Sequence, residues 1–86
     1  MYNKNIGNRL VKLLLVLARD FGHFIEEGIL INLILSHYDI ANIIGTTRVT
    51  ITRLLQDLIK AKLISMHPNQ KKIIINNPQS LCHHFI

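Results

Sequence analysis

The stretch SHYDIANIIGTTRVTITRLLQDLIK, residues 36–60, decides the fold. It opens with an S-x-x-D capping box, in which the Ser36 hydroxyl accepts from the third helical N–H and the Asp39 carboxylate reaches back. A first helix is therefore predicted to start there and to end near Gly45, a residue that tolerates the left-handed conformation. Its predicted inward-facing residues are Ile40, Ile43 and Ile44.

A second helix is predicted directly after the glycine. Thr46 or Thr47 can cap it, and the apolar residues that follow keep a helical spacing to about Lys60. Its predicted buried residues are Ile51, Leu54, Leu55 and Leu58. Ala41 is small where the two helices must cross. Two short helices joined by a tight turn are typical of a helix-turn-helix.

The flanking sequence supplies the remaining elements. Residues 6–21 carry apolar side chains at steps of three and four and predict a helix, which Gly22 ends by adopting the left-handed conformation. After a loop, residues 29–35 predict a short buried strand, and residues 63–66 and 72–76 predict a hairpin. The tail is expected to be irregular or to form a single helical turn.

The predicted fold is α+β and mainly helical: a winged helix-turn-helix with a three-helix core, a short strand and a C-terminal β-hairpin wing. With 86 residues the chain is expected to form one domain, with the helix-turn-helix at about 36–60 and the wing at about 63–76. In the first helix, Phe21 is predicted on the buried stripe and Val16 on the exposed side.

Composition and charge narrow the classes of function. Hydrophobic residues at 49% and charged residues at 17% exclude a disordered tail. The longest apolar run, residues 13–18, is far shorter than the roughly 20 residues that cross a bilayer, so no membrane association is expected. The net charge is +5, and most of the basic excess lies in residues 36–76. A localised basic region is typical of a polyanion partner.

No arrangement of residues typical of an enzyme is present. The single cysteine, Cys82, allows no internal disulfide, and with the adjacent His83 and His84 it cannot supply about four zinc ligands at a reproducible spacing. The sequence also lacks a catalytic acid pair and a glycine-rich phosphate loop. We therefore expect no enzymatic activity, no metal and no cofactor.

The outward face of the second helix carries the expected contacts with double-stranded DNA. A rotation of 100° per residue places four residues opposite the buried face: Val49, Arg53, Gln56 and Lys60. Arg53 can donate two hydrogen bonds to guanine, and Val49 can pack on a thymine methyl group. Gln56 or Lys60 can reach a base or a phosphate, and Arg48 can swing into the groove from the first turn.

Contacts with the DNA backbone are expected at two further places. Ser36, His37 and Tyr38 lie at a helix N-terminus, whose free N–H groups and dipole favour anions. Lys71 and Lys72, on the hairpin, would hold the adjoining backbone.

These residues carry a family resemblance. Residues 35–41 and 44–55 resemble the DNA-binding domain of the cAMP receptor protein and FNR family, and the similarity extends over about residues 9–85. Within the family, TRVTITR at residues 47–53 is similar to the cyanobacterial nitrogen regulators and their plastid-encoded relatives.

The resemblance implies a sequence-specific transcription regulator, and the similarity to the nitrogen regulators implies a role related to nitrogen. In that family, the residues that face the bases match Arg48, Val49 and Arg53. The residues that contact the backbone match Ser36, Tyr38 and Thr47. Val49 replaces the glutamate of the cAMP receptor protein, so the GTA…TAC half-sites of the nitrogen regulators are the better analogy.

The family also carries an effector-binding module and a long dimerisation helix, which this chain is expected to lack as a truncated product or an excised domain. The sequence does not decide between a dimer partner and a contact with RNA polymerase. The expected location is the cytoplasm or, by the plastid resemblance, the chloroplast stroma. Two alternatives are a winged-helix docking module for proteins and a remnant that regulates nothing.

Overall fold

The structure, a computed structural model, describes residues 4–84. Its helices and strands, in chain order, are α1 (Lys4–Phe21), β1 (Gly22–Ile25), β2 (Gly28–Ile31), α2 (His37–Ile44), α3 (Arg48–Lys60), β3 (Ile64–Met66), β4 (Ile73–Ile75) and α4 (Pro78–His83). The strands form one antiparallel sheet in the order β1-β2-β4-β3. The predicted winged helix-turn-helix is confirmed, with one additional strand, β1, and the tail is helical, the second of the two forms expected for it.

The capping box forms at the start of α2 as predicted. The Asp39 N–H donates to Ser36 Oγ at 3.0 Å, and the Ser36 N–H donates to Asp39 Oδ2 at 3.2 Å. Two N–H groups that would otherwise have no partner at the helix start are thereby satisfied, which fixes where α2 begins.

The turn between α2 and α3 depends on Gly45. This residue is left-handed, with φ 91°, and both its N–H and that of Thr46 donate to the Ala41 carbonyl, at 2.8 and 2.9 Å. Of the two threonines that were candidates for the next cap, Thr47 takes the role, because its Oγ1 accepts from the Thr50 N–H at 3.2 Å. These local bonds stop one helix and start the next within three residues.

One apolar core joins the helices to the sheet. Its largest fully buried side chains are Leu10, Leu14, Ile40, Ile51, Leu54, Leu58, Ile64, Ile75 and Leu81. The buried positions predicted for α3 are confirmed, and Val16 is exposed as predicted.

Two predicted core positions are wrong: Ile43 is 59% exposed and Phe21 is 44% exposed. The buried face of α2 centres on Ile40, Ala41 and Ile44, and the 100° rotation per residue turns Ile43 about 110° away from that centre. Phe21 is the last residue of α1, where the chain turns into the sheet.

The prediction of a loop before residue 29 is wrong, because this segment forms a hairpin. β1 pairs with β2 from Gly22 opposite Ile31 to Ile25 opposite Gly28, around a two-residue turn. The left-handed conformation predicted for Gly22 is wrong, because its φ is not positive. Glycine is needed there for close approach, since a Cβ would collide with the Ala18 carbonyl oxygen. The strand predicted over residues 29–35 is shorter and ends at Ile31.

The wing and the tail complete the fold. Ile64 pairs with Ile75 and Met66 with Ile73, so both wing strands are one or two residues shorter than predicted. The tail forms α4, which Asn77 caps and which buries Leu81. No helix among residues 4–84 combines the length and the apolar character needed to span a bilayer.

Candidate nucleic-acid interface

The exposed side of α3 holds the residues predicted to read bases. Arg48, Val49, Arg53 and Gln56 line one shallow depression together with the half-buried Thr52. The other side of the helix is fixed in the core by Ile51, Leu54, Leu55 and Leu58. A rigid helix therefore presents this row of side chains to the solvent.

The depression combines cationic side chains, which suit a polyanion, with an apolar side chain, which suits an apolar group on the same ligand. Within residues 4–84, neither Arg48 nor Arg53 pairs with a carboxylate, so both guanidinium groups keep their donors for a ligand. Val49 is 57% exposed and places an apolar side chain between them. Lys60, at the last turn of α3, is also exposed and extends the basic face.

The start of α2 lies against the middle of α3. His37 is half-buried, and its Nδ1 shares a hydrogen bond of 2.7 Å with Thr52 Oγ1. Tyr38 is 62% exposed beside it. Ser36 and Thr47 are exposed, and each hydroxyl also caps its own helix. The structure thus brings these four residues to the two helix starts that flank the depression, and their contacts with a DNA backbone stay a prediction.

The two wing lysines differ in their surroundings. Lys71 is exposed in the loop between β3 and β4. Lys72 is half-buried, and its Nζ donates to Asn32 Oδ1 at 2.6 Å. The Lys72 carbonyl accepts from the His67 N–H at 2.9 Å and closes the loop. Lys71 therefore keeps its donors for a phosphate, whereas Lys72 would have to share its ammonium group with Asn32.

Sequence reasoning missed two residues that shape this surface. Thr52 lies about 60° from Val49 on the helical wheel, so its position beside the depression could have been predicted from the helical spacing. Asn32 gave no signal, because its bond to Lys72 spans 40 positions of the chain. No group of three or more His, Cys, Asp or Glu side chains in the described part of the chain is placed to hold a metal ion.

Comparisons with known proteins identify relatives of the chain. A family model described as the Crp-like helix-turn-helix domain matches residues 8–84. The chain is 51% identical over 83 residues to the global nitrogen regulator of Nostoc sp., covering 96% of this chain and 36% of the relative. It is 46% identical over 83 residues to the HTH-type transcriptional regulator ycf28 of Porphyra purpurea, covering 96% of this chain and 34% of the relative.

The fold matches a solved structure of the same class. A CooA mutant from Carboxydothermus hydrogenoformans superposes with a TM-score of 0.85 and 31% identity, over 94% of this chain and 37% of that one. The chain spans about a third of the length of the curated relatives it matches. The family match contains the helix-turn-helix and the wing, and it confirms the resemblance read from residues 35–55. The chain belongs to the Crp-like helix-turn-helix domain family.

Proposed function

We propose that the chain binds double-stranded DNA in a sequence-specific manner through the exposed face of α3, as the DNA-binding part of a transcription regulator. The observation that carries the proposal is the row of exposed side chains around Arg53, whose guanidinium pairs with no carboxylate in residues 4–84. The name of the Porphyra relative, an HTH-type transcriptional regulator, supports this function. The name of the Nostoc relative, a global nitrogen regulator, supports in addition a role related to nitrogen.

In the proposed complex, α3 enters the major groove. Arg53 donates two hydrogen bonds to guanine O6 and N7, and no other base presents two acceptors in this arrangement in the major groove. Val49 packs on a thymine methyl group, and this apolar contact adds to the discrimination. The remaining base contacts belong to Arg48 and Gln56, at the two ends of the depression.

Phosphate contacts fix the orientation of the helix. The starts of α2 and α3 offer backbone N–H groups and positive helix-dipole ends. The side chains proposed to contact the backbone are Ser36, His37, Tyr38, Thr47, Lys60, Lys71 and Lys72. A single copy reads one half-site, so we expect weak and strongly salt-dependent binding unless a second copy joins it. The proposed site of action is the cytoplasm or the chloroplast stroma.

Affinity for a GTA…TAC duplex and for a random duplex, measured across a salt series, tests the proposal. We expect Arg53→Ala to lose about 1–3 kcal/mol of binding free energy on the GTA…TAC duplex alone. Arg53→Lys keeps the charge but not the bidentate fork, and should lose nearly as much. Arg19→Ala, which removes the same charge from an exposed position of α1, is the matched control and should change neither affinity.

The other outcomes of this experiment separate the alternatives. An equal loss on both duplexes, restored by Arg53→Lys, would assign Arg53 to a phosphate. Absence of binding at low salt would favour a module that docks proteins, or a remnant without function. The basic α3 face argues against docking, because a docking surface should be apolar or acidic at its centre.

A further inference from the structure

One hydrogen bond couples the two helices of the motif at the edge of the depression. His37 Nδ1 and Thr52 Oγ1 are 2.7 Å apart, and both side chains are half-buried. Within residues 4–84 this is the only side-chain hydrogen bond that joins α2 to α3. Thr52 stands between Val49 and Arg53 in sequence and lines the same depression, so its hydroxyl lies at the border of the proposed base-reading surface.

The bond decides which way the Thr52 hydroxyl points. A threonine inside a helix divides between two χ1 rotamers, one of which turns Oγ1 to the carbonyl four residues before it. Whichever of the two atoms donates, the bond to His37 directs Thr52 Oγ1 at α2. A hydroxyl without this partner is a donor and an acceptor, and it can bond to either kind of base edge.

We infer that His37 sets base specificity indirectly, as a positioning residue that holds the Thr52 hydroxyl away from DNA. This inference rests on the proposed function. Arg53 can then select guanine without a competing hydroxyl one residue away. His37 would thus contribute to selectivity as well as to the backbone contact proposed for it.

Three variants test the inference. His37→Phe removes the hydrogen bond and keeps a ring, which suits a site that also faces Leu35 and Ile40. Thr52→Val removes the hydroxyl at constant shape, and the double variant removes both partners. Each protein is checked for folding by its thermal transition, and its relative affinity is measured for every single-base-pair variant of the GTA…TAC duplex.

The expected pattern is a change of preference that a second substitution reverses. His37→Phe should alter preference at the base pair nearest Thr52 by about two- to tenfold, the value of one hydrogen bond. Thr52→Val alone should keep the wild-type preferences. The double variant should regain them, because the freed hydroxyl is gone. A merely structural role of His37 predicts uniform weakening without this reversal.

Other results overturn the inference. An unchanged profile in His37→Phe, or a changed one in Thr52→Val, would show that His37 does not withhold this hydroxyl. If His37→Phe fails to fold, His37→Ala replaces it in the same set, with the same expectations. A wild-type chain without any base preference would instead refute the proposed function itself, and that failure is recognised before any variant is made.

Discussion

The guanidinium of Arg9 donates a hydrogen bond from Nη1 to the carbonyl oxygen of Ile44 at 3.3 Å, which joins α1 to the last turn of α2. The last carbonyl groups of a helix have no partner within the helix, and a cation near them also interacts favourably with the helix dipole. Arg9 therefore helps to fix the end of α2, immediately before the turn that orients α3.

We expect Arg9→Met to lower the free energy of unfolding by about 1 kcal/mol, because it keeps much of the alkyl stem but loses the donor. Urea denaturation measures this change. Arg19→Met on the same helix is the control; it loses only an exposed ion pair with Asp20 and should change stability by less than about 0.5 kcal/mol. Equal losses for the two variants would contradict the role given to Arg9.

The isoleucines of α2 offer a matched pair for the packing of the motif. Ile40 is 1% exposed, whereas Ile43, three residues later on the same helix, is 59% exposed. We expect Ile40→Ala to cost about 2–5 kcal/mol through lost burial and a cavity, and Ile43→Ala to stay within about 0.5 kcal/mol. Chemical denaturation of both variants decides the matter. Comparable losses would mean that Ile43 is covered in solution.

Gly45 allows conformational strain to be measured without a steric clash. Its φ is 91°, and a Cβ at this position would meet nothing within 4 Å. Gly45→Ala is therefore expected to lower stability by about 1–2 kcal/mol through the left-handed conformation alone. Gly45→Asn should lose less, since asparagine tolerates that conformation better. The thermal transition of each variant provides the test, and an alanine variant as stable as the wild type would refute it.

The parts of this fold that were predictable from sequence are those fixed over short distances. The capping bonds of Ser36 and Asp39 span three residues, and the left-handed turn depends on Gly45 itself. The buried positions of α3 follow from the helical period. In each case the physical cause lies within about two helical turns of the residue it acts on.

The parts that were missed depend on distant partners. β1 has no alternating pattern, because His23 and Phe24 are both exposed, and only its pairing with β2 makes it a strand. In the candidate site, the exposure of Arg53 could be predicted from its position on the helix. The hydrogen bond between Thr52 and His37 could not be predicted, because it depends on how closely two helices approach across 15 positions of the chain.

Lys71 provides a direct measure of contact between the wing and the DNA backbone. It is exposed in the β3–β4 loop and is free of the Asn32 bond that engages its neighbour Lys72. A lysine that neutralises one phosphate releases about one counterion, so Lys71→Ala should reduce the slope of log affinity against log salt by about 1. The loss of affinity should be the same on GTA…TAC and random duplexes, because a phosphate contact carries no base information.

Lys12→Ala removes one charge from an exposed position of α1 and should leave the slope unchanged. If the two variants gave the same slope, or if Lys71→Ala weakened only the GTA…TAC complex, the wing would not be the backbone clamp proposed for it.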